Sequence, residues 1–357
     1  MAVQIDLFFQ KLLTKAITSK ASDLILTVGN LPTLKIDQRL VILDDFEVVT
    51  PSLLGSFLDS ILNEKEKMIL TNDKYLSVVK DFNEEMRFRI DIFYQRGFPS
   101  VEVSYVSFSI PALADYHLPK SVVNLSELRR GLVIIGGSYG SGKTTLAVSF
   151  LEHINQNENR HIITIEKPVE YLLSSNKSVI EQREVGNDTG SFLEAIRDLY
   201  DIDADIVFIS RLETVAEVKA LIELIEGGRL VFLVMDGESV QKILEKIIDL
   251  FPTEEKDRIL HSLADLLEGV IILKMLPKVG GGTVLAWEIM IANQAVASII
   301  REGRFYQLLS VIPTSRQEGM VSLDQSLADL VISGKVDFDD AAKESLDRDN
   351  FASLVKR

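Results

Sequence analysis

The stretch Gly131-Leu-Val-Ile-Ile-Gly-Gly137-Ser-Tyr-Gly140-Ser-Gly142-Lys143-Thr144-Thr145 decides how the chain is read. From Gly137 onward it fits G-x-x-x-x-G-K-[ST], and an apolar run leads into it. Leu146, Ala147, Phe150, Leu151 and Ile154 follow at helical spacing, so the motif sits where a strand turns into a helix. Glycines at such a junction let successive backbone N–H groups converge on phosphate oxygens, and the helix N-terminus adds partial positive charge. Gly137, Ser138, Tyr139, Gly140, Ser141, Gly142, Lys143, Thr144 and Thr145 are therefore candidate nucleotide-binding residues. Lys143 suits the β- and γ-phosphates, and the Thr144 hydroxyl suits Mg²⁺. A Gly-rich turn matched by chance is the plainer alternative. The agreement of motif and context favours binding of ATP or ADP with Mg²⁺.

Outward from the motif, apolar strands at 131–136, 161–165, 205–209 and 229–234 alternate with amphipathic helices at 143–155, 190–200, 214–226 and 239–251. This predicts a mostly parallel sheet with helices on both faces. Val270–Leu276 and Thr283–Ile291 flank a Gly280–Gly282 turn and read as a hairpin. The rest is predicted helical, with an acidic tail around Asp337–Asp349. Trp287, on the hairpin, reads as core.

Upstream, Ile5, Phe8, Phe9, Leu12, Leu13, Ala16 and Ile17 predict an opening amphipathic helix. Leu24–Val28 and Thr33–Ile36 read as strands joined at Gly29-Asn30, and 52–70 as a helix. Arg87–Tyr94 alternates, with Phe88, Ile90, Ile92 and Tyr94 on one face and Arg87, Arg89 and Asp91 on the other, the pattern of a half-buried strand. Val101–Phe108 is its partner across a Gly97-Phe98-Pro99 turn. Ile110–Arg130 reads as a linker. The expected domains are residues 1–112, α+β, and 113–357, α/β, with C-terminal helices from about 295.

Composition removes several function classes. The 357 residues suit two or three domains at roughly 100–200 residues each. Acidic residues outnumber basic ones 53 to 38, for a net charge of −15, which argues against general nucleic-acid binding. Cys is absent, so disulfides, thiolate–zinc sites and Cys nucleophiles are excluded. The four His, at 117, 153, 161 and 261, lie too far apart for metal-ligand spacing. Asp6 interrupts the N-terminal apolar stretch, and no run approaches the ~18 apolar residues that would span a bilayer. A cytoplasmic location without direct membrane insertion is expected.

With these residues in place, the chain resembles the type IV pilus retraction ATPases, the PilT/PilU family of the secretion-ATPase superfamily. The resemblance rests on Ala21-Ser22-Asp23-Leu24, Phe88–Arg96, the phosphate loop, Ile163–Glu170, Gln182–Gly186, Asp249–Pro252, Gly280–Gly282, Glu288–Ile291 and Gly319–Leu327, in family order. It implies a PAS-like N-terminal domain joined to a RecA-like P-loop ATPase domain with a helical C-terminal region, assembled as a hexameric ring. It also implies a role in twitching motility, at the cytoplasmic face of the inner membrane, through a pilus platform protein. Arg87, Arg89 and Arg96 would then reach an adjacent subunit's nucleotide; otherwise they are an exposed strand face.

The chain also departs from that family. Where the family carries a Walker B glutamate, the ungapped register places Arg211. A gapped register would leave Glu213 as a substitute acid. The family's paired histidines fall on Arg229 and Asp236, and the acidic residue of its Asp-rich box falls on Lys167. Glu166 and Glu170 remain as weak catalytic candidates. Phosphate cradling needs only backbone N–H groups and Lys143, whereas hydrolysis needs an oriented water. Arg211 stays protonated and cannot take a proton. The expectation is an ATP-binding accessory ATPase with weak or lost hydrolysis, in a ring that is homomeric or shared with an active paralogue. The alternatives are an active retraction motor using Glu166, Glu170 or Glu213, and a type II secretion or pilus-extension ATPase. The last typically has a longer N-terminal region and a Cys-based zinc site.

Overall fold

The computed structural model describes residues 6–83 and 86–356. Ile5, first residue of the opening helical pattern, lies outside them. The chain forms two units, Met1–Ser109 with Pro168–Leu172, and Ile110–Lys167 with Leu173–Arg357.

In the first unit, α1 (Leu7–Thr18) is capped by the Asp6 carboxylate, which accepts from Phe8 N–H, and it buries Phe9, Leu12, Leu13 and Ala16. β1 (Asp23–Thr27) and β2 (Thr33–Ile36) pair antiparallel, and β3 (Arg39–Ile42) extends them to an edge. The helix expected over 52–70 is two helices, α2 (Pro51–Ile61) and α3 (Glu64–Asp73). The break follows from a capping box: the Asn63 side chain accepts from Glu66 N–H while the Glu66 carboxylate accepts from Asn63 N–H. β4 (Tyr75–Asn83), β5 (Met86–Gln95) and β6 (Phe98–Val106) complete a sheet of order β3-β2-β1-β6-β5-β4.

The β5–β6 turn is Arg96-Gly97, both at positive φ, so Phe98 and Pro99 already pair with Gln95 and Tyr94. Phe88, Ile90 and Ile92 are buried as expected, but Tyr94 is exposed at the hairpin tip. Arg87 and Asp91, expected on an open polar face, are buried too.

In the second unit the segment read as a linker forms short helical turns, among them α4 (Lys120–Val123), and buries Leu113, Val122 and Leu125 in a core shared with Val133 and Ile135. The elements that follow are β7 (Gly131–Gly137), α5 (Lys143–Asn157), β8 (His161–Glu166), β9 (Val179–Glu184) and α6 (Phe192–Asp198). Next come β10 (Ile206–Ile209), α7 (Val215–Glu226), β11 (Leu230–Asp236), α8 (Val240–Asp249) and α9 (Thr253–Leu266). The β12 (Leu267–Pro277) and β13 (Thr283–Ile291) hairpin precedes α10 (Gln294–Arg301), α11 (Leu308–Thr314), α12 (Leu323–Ile332), α13 (Phe338–Glu344) and α14 (Arg348–Val355). Among the described residues these strands form one sheet of order β13-β12-β7-β11-β10-β8-β9, parallel except for the β12–β13 hairpin.

Strand β7 shows why the sheet lies between helices. Leu132 and Ile134 pack on one face with α6–α9, and Val133 and Ile135 on the other with α5. A strand buried on both faces must be apolar at every position. Each such side chain contributes about 1.5–3 kcal/mol of transfer free energy. Because β7, β11, β10 and β8 are adjacent and parallel, their C-terminal ends, Gly137, Asp236, Ile209 and Glu166, share one edge of the sheet.

Candidate functional site

In open α/β sheets, ligands bind outside the carboxyl ends of the strands. At that edge, Gly137–Thr145 joins β7 to α5. Gly137, Gly140 and Gly142 take φ of +153°, +73° and +91°. A Cβ on Gly137 would stand 2.3 Å from Ser141 Oγ and 2.6 Å from the Leu273 carbonyl, so a side chain cannot fit there. Nothing lies within 4 Å of a Cβ on Gly140, whose glycine is required by backbone conformation instead.

Helix α5 begins on Gly142 without a side-chain cap and without an acidic residue in its first turn. The cap residue thus supplies no side-chain acceptor, which leaves the helix start suited to an external anion. The Ser141 hydroxyl is buried with no hydrogen-bond partner in the protein. Lys143 Nζ donates to Ser138 O at 2.6 Å and lies 3.0 Å from Asp236 Oδ1. Positive φ at the glycines, an uncapped helix start, an unspent hydroxyl and a lysine folded back along the loop fit a phosphate chain.

The candidate acids are distributed differently. Glu166, at the end of β8, is buried, and its Oε1 accepts from Thr164 Oγ1 at 2.6 Å and Gln182 Nε2 at 3.1 Å. Glu170 belongs to the first unit and pairs with Arg89 at 3.1 Å. Arg211, just beyond β10, pairs with Glu213 at 2.7 Å, each side chain about 60 % exposed. The two residues that compete for the Walker B position thus bind each other. With Ser210, Asp236 and Lys246 they line a cleft of about 60 Å³.

Of the N-terminal arginines, Arg87 is buried. Its guanidinium donates to Asp81 at 2.7 Å, to Glu170 O at 2.7 Å and to Val169 O at 3.1 Å. Arg89 lies 3.0 Å from Asp91. Arg96 occupies the exposed hairpin turn. Arg229 lies at the N-terminal end of β11, donating to the Leu199 and Ile202 carbonyls, and only Asp236 of that pair reaches the loop.

Two features have roles that the motifs do not assign. Glu288 on β13 is buried, and its carboxylate accepts from Val240 N–H at 2.8 Å, holding the start of α8. Burial pushes its pKa up to about 7, and the Asp324 charge adds to the rise. Half-buried Trp287 meets Tyr116 edge-on at 6.2 Å, and both line a cavity of about 480 Å³ with Met275 and Leu285. A buried acid on an apolar strand could have signalled the first. No local pattern marks the second, since its walls come from distant segments.

A family described as "Type II/IV secretion system protein" matches residues 113–297. The chain is 31 % identical to the Pseudomonas aeruginosa "Type IV pilus retractation ATPase PilT" over 93 % of its own length and 96 % of that protein. It is 26 % identical to the "Type IV pilus ATPase PilU" of the same organism, over 98 % of this chain and 91 % of the other. Among solved structures, the pilus retraction motor PilT with bound ADP superposes with a TM-score of 0.81 and 32 % identity, covering 97 % of this chain and 99 % of that one.

Proposed function

Because this chain belongs to the type II/IV secretion system protein family, in its PilT/PilU-like branch, we propose that it is an ATP-binding accessory ATPase of type IV pilus-dependent motility whose hydrolysis is weak or lost. The solved PilT relative binds ADP. In this reading the phosphates lie against the amides of Gly137–Thr145 and the Lys143 ammonium. The cavity walled by Tyr116 and Trp287 offers the flat apolar surfaces a purine requires. Bound Mg²⁺ would neutralise phosphate charge, and the Thr144 hydroxyl is the side chain that would hold it. The assembly is a cytoplasmic hexameric ring, homomeric or shared with an active paralogue, tied to the inner membrane through a platform protein. Among the described residues no helix is long and apolar enough to cross a membrane.

The observation that carries weak hydrolysis is the Arg211–Glu213 ion pair. Hydrolysis needs an acid to orient water and unopposed cations on the developing charge. Here Arg211, just past β10, is a permanent cation, and Glu213, the substitute acid of the gapped register, is paired to it. Losing a positioned base typically costs ~10²–10⁴ in rate.

Steady-state ATPase rate measured beside ATP affinity tests this. Affinity should be retained with turnover at least about 10²-fold below PilT. Brisk wild-type turnover abolished by Glu213→Gln would establish the active-motor reading instead.

A further inference from the structure

Lys143, the cation of the phosphate loop, already has an anionic partner in this chain. Asp236 Oδ1 stands 3.0 Å from its ammonium. This neighbour is fixed by the sheet rather than by a mobile loop. Asp236 is the last residue of β11 and pairs in register with Gly137, the first residue of the phosphate loop. The next amide, Gly237 N–H, donates to Gly137 O at 3.3 Å, and Lys246 Nζ donates to Asp236 O at 3.2 Å. The backbone at 236 is held on both sides, so only rotation of a short side chain can move the carboxylate. It cannot retreat far when another anion reaches Lys143.

We propose that Asp236 is a specificity-determining residue that holds Lys143 in the absence of ligand and biases the loop toward ADP over ATP. The inference rests on the nucleotide-binding reading above. An anion entering the loop must share the ammonium with a carboxylate or displace it, and both costs rise with the charge brought close. ATP carries one more negative charge than ADP, and carries it on the phosphate nearest Lys143. Like charges a few ångströms apart repel, and solvent weakens the effect. The Asp236 side chain is 74 % exposed and Lys143 only 10 %, so the discrimination is moderate and salt-dependent. Asp236 positions Lys143 and touches no bond that breaks.

The test is calorimetric titration of wild type, Asp236→Asn and Asp236→Glu with ATP and with ADP. It is done in EDTA at low and high salt, so that no metal masks the charge. Asp236→Asn keeps the shape and sits on the surface, so it should fold. It should tighten ATP about tenfold and ADP about threefold, with the difference shrinking at high salt. Asp236→Glu should keep the wild-type preference. Equal changes for both nucleotides, or none, would overturn the proposal while leaving the loop a nucleotide site. If wild type and variants bind neither nucleotide at millimolar concentration, in EDTA or in a parallel titration with excess Mg²⁺, the nucleotide reading itself fails and this inference with it.

Discussion

The phosphate loop and the strand ends beside it share one edge of one sheet, but they are specified differently. The loop is built from backbone: three glycines at positive φ, a helix start without a side-chain cap and one lysine. The neighbouring ends of β8, β10 and β11 act only through side chains, Glu166, Arg211, Glu213 and Asp236. Backbone geometry is lost as a whole when a Cβ intrudes. Side-chain chemistry can change one residue at a time without disturbing the fold. A chain can therefore keep phosphate binding while losing turnover, which is the combination proposed above for this one.

The comparison can be broken at the loop. Gly137→Val would drive a side chain into Ser141 and the Leu273 carbonyl, at a φ that β-branched residues avoid. The expected loss is more than about 3 kcal/mol, with nucleotide binding abolished, read by urea denaturation and titration. A stable, binding-competent variant would show that the loop is not set by backbone.

It can be sharpened at Glu288, whose buried carboxylate anchors the helix that follows β11. Its pKa is raised from 4.5 to about 7, so the folded state holds a proton that the unfolded chain releases near pH 4.5. Its favourable contribution is complete below about pH 4.5 and is lost as pH rises through about 7. The cost is up to about 3 kcal/mol at about 1.4 kcal/mol per unit. Glu288→Gln should flatten that slope between pH 5 and pH 8 in urea denaturation. An unchanged slope would assign it to another group.

The smallest effect belongs to Arg211. An exposed pair contributes little, so Arg211→Ala should shift stability by less than about 0.5 kcal/mol. A thermal melt checks this. A larger loss would show that the pair is part of the scaffold.

Much of the molecule is legible in its sequence. The strand-to-helix setting of Gly137–Thr145, the alternation of strands and helices after it, and the resemblance to the retraction ATPases agree with the structure and its relatives. What is missed has physical causes. β9 is an edge strand, exposed or only partly buried, and lacks the apolar run of its neighbours. The break between α2 and α3 is marked by Asn63 and Glu66, a short-range signal that apolar periodicity runs over. Arg87 and Asp91 alternate like surface residues yet are buried, because partners for the buried arginine lie at Val169 and Glu170, more than 80 positions away in the chain. The Lys143–Asp236 pair depends on β11 lying beside β7, an adjacency that no local pattern encodes.

The chain enters its first unit twice, the second time only through Pro168–Leu172. The two arginines that receive this segment read it in different ways. Arg87 takes backbone carbonyls, which any sequence supplies, whereas Arg89 takes the Glu170 side chain. A recombinant gene joining one relative's start to another's remainder would keep the Arg87 contacts automatically. It would keep the Arg89 contact only if an acid arrived at position 170. The Arg89 contact is thus tied to a codon some eighty positions downstream of its own, beyond the rest of the first unit.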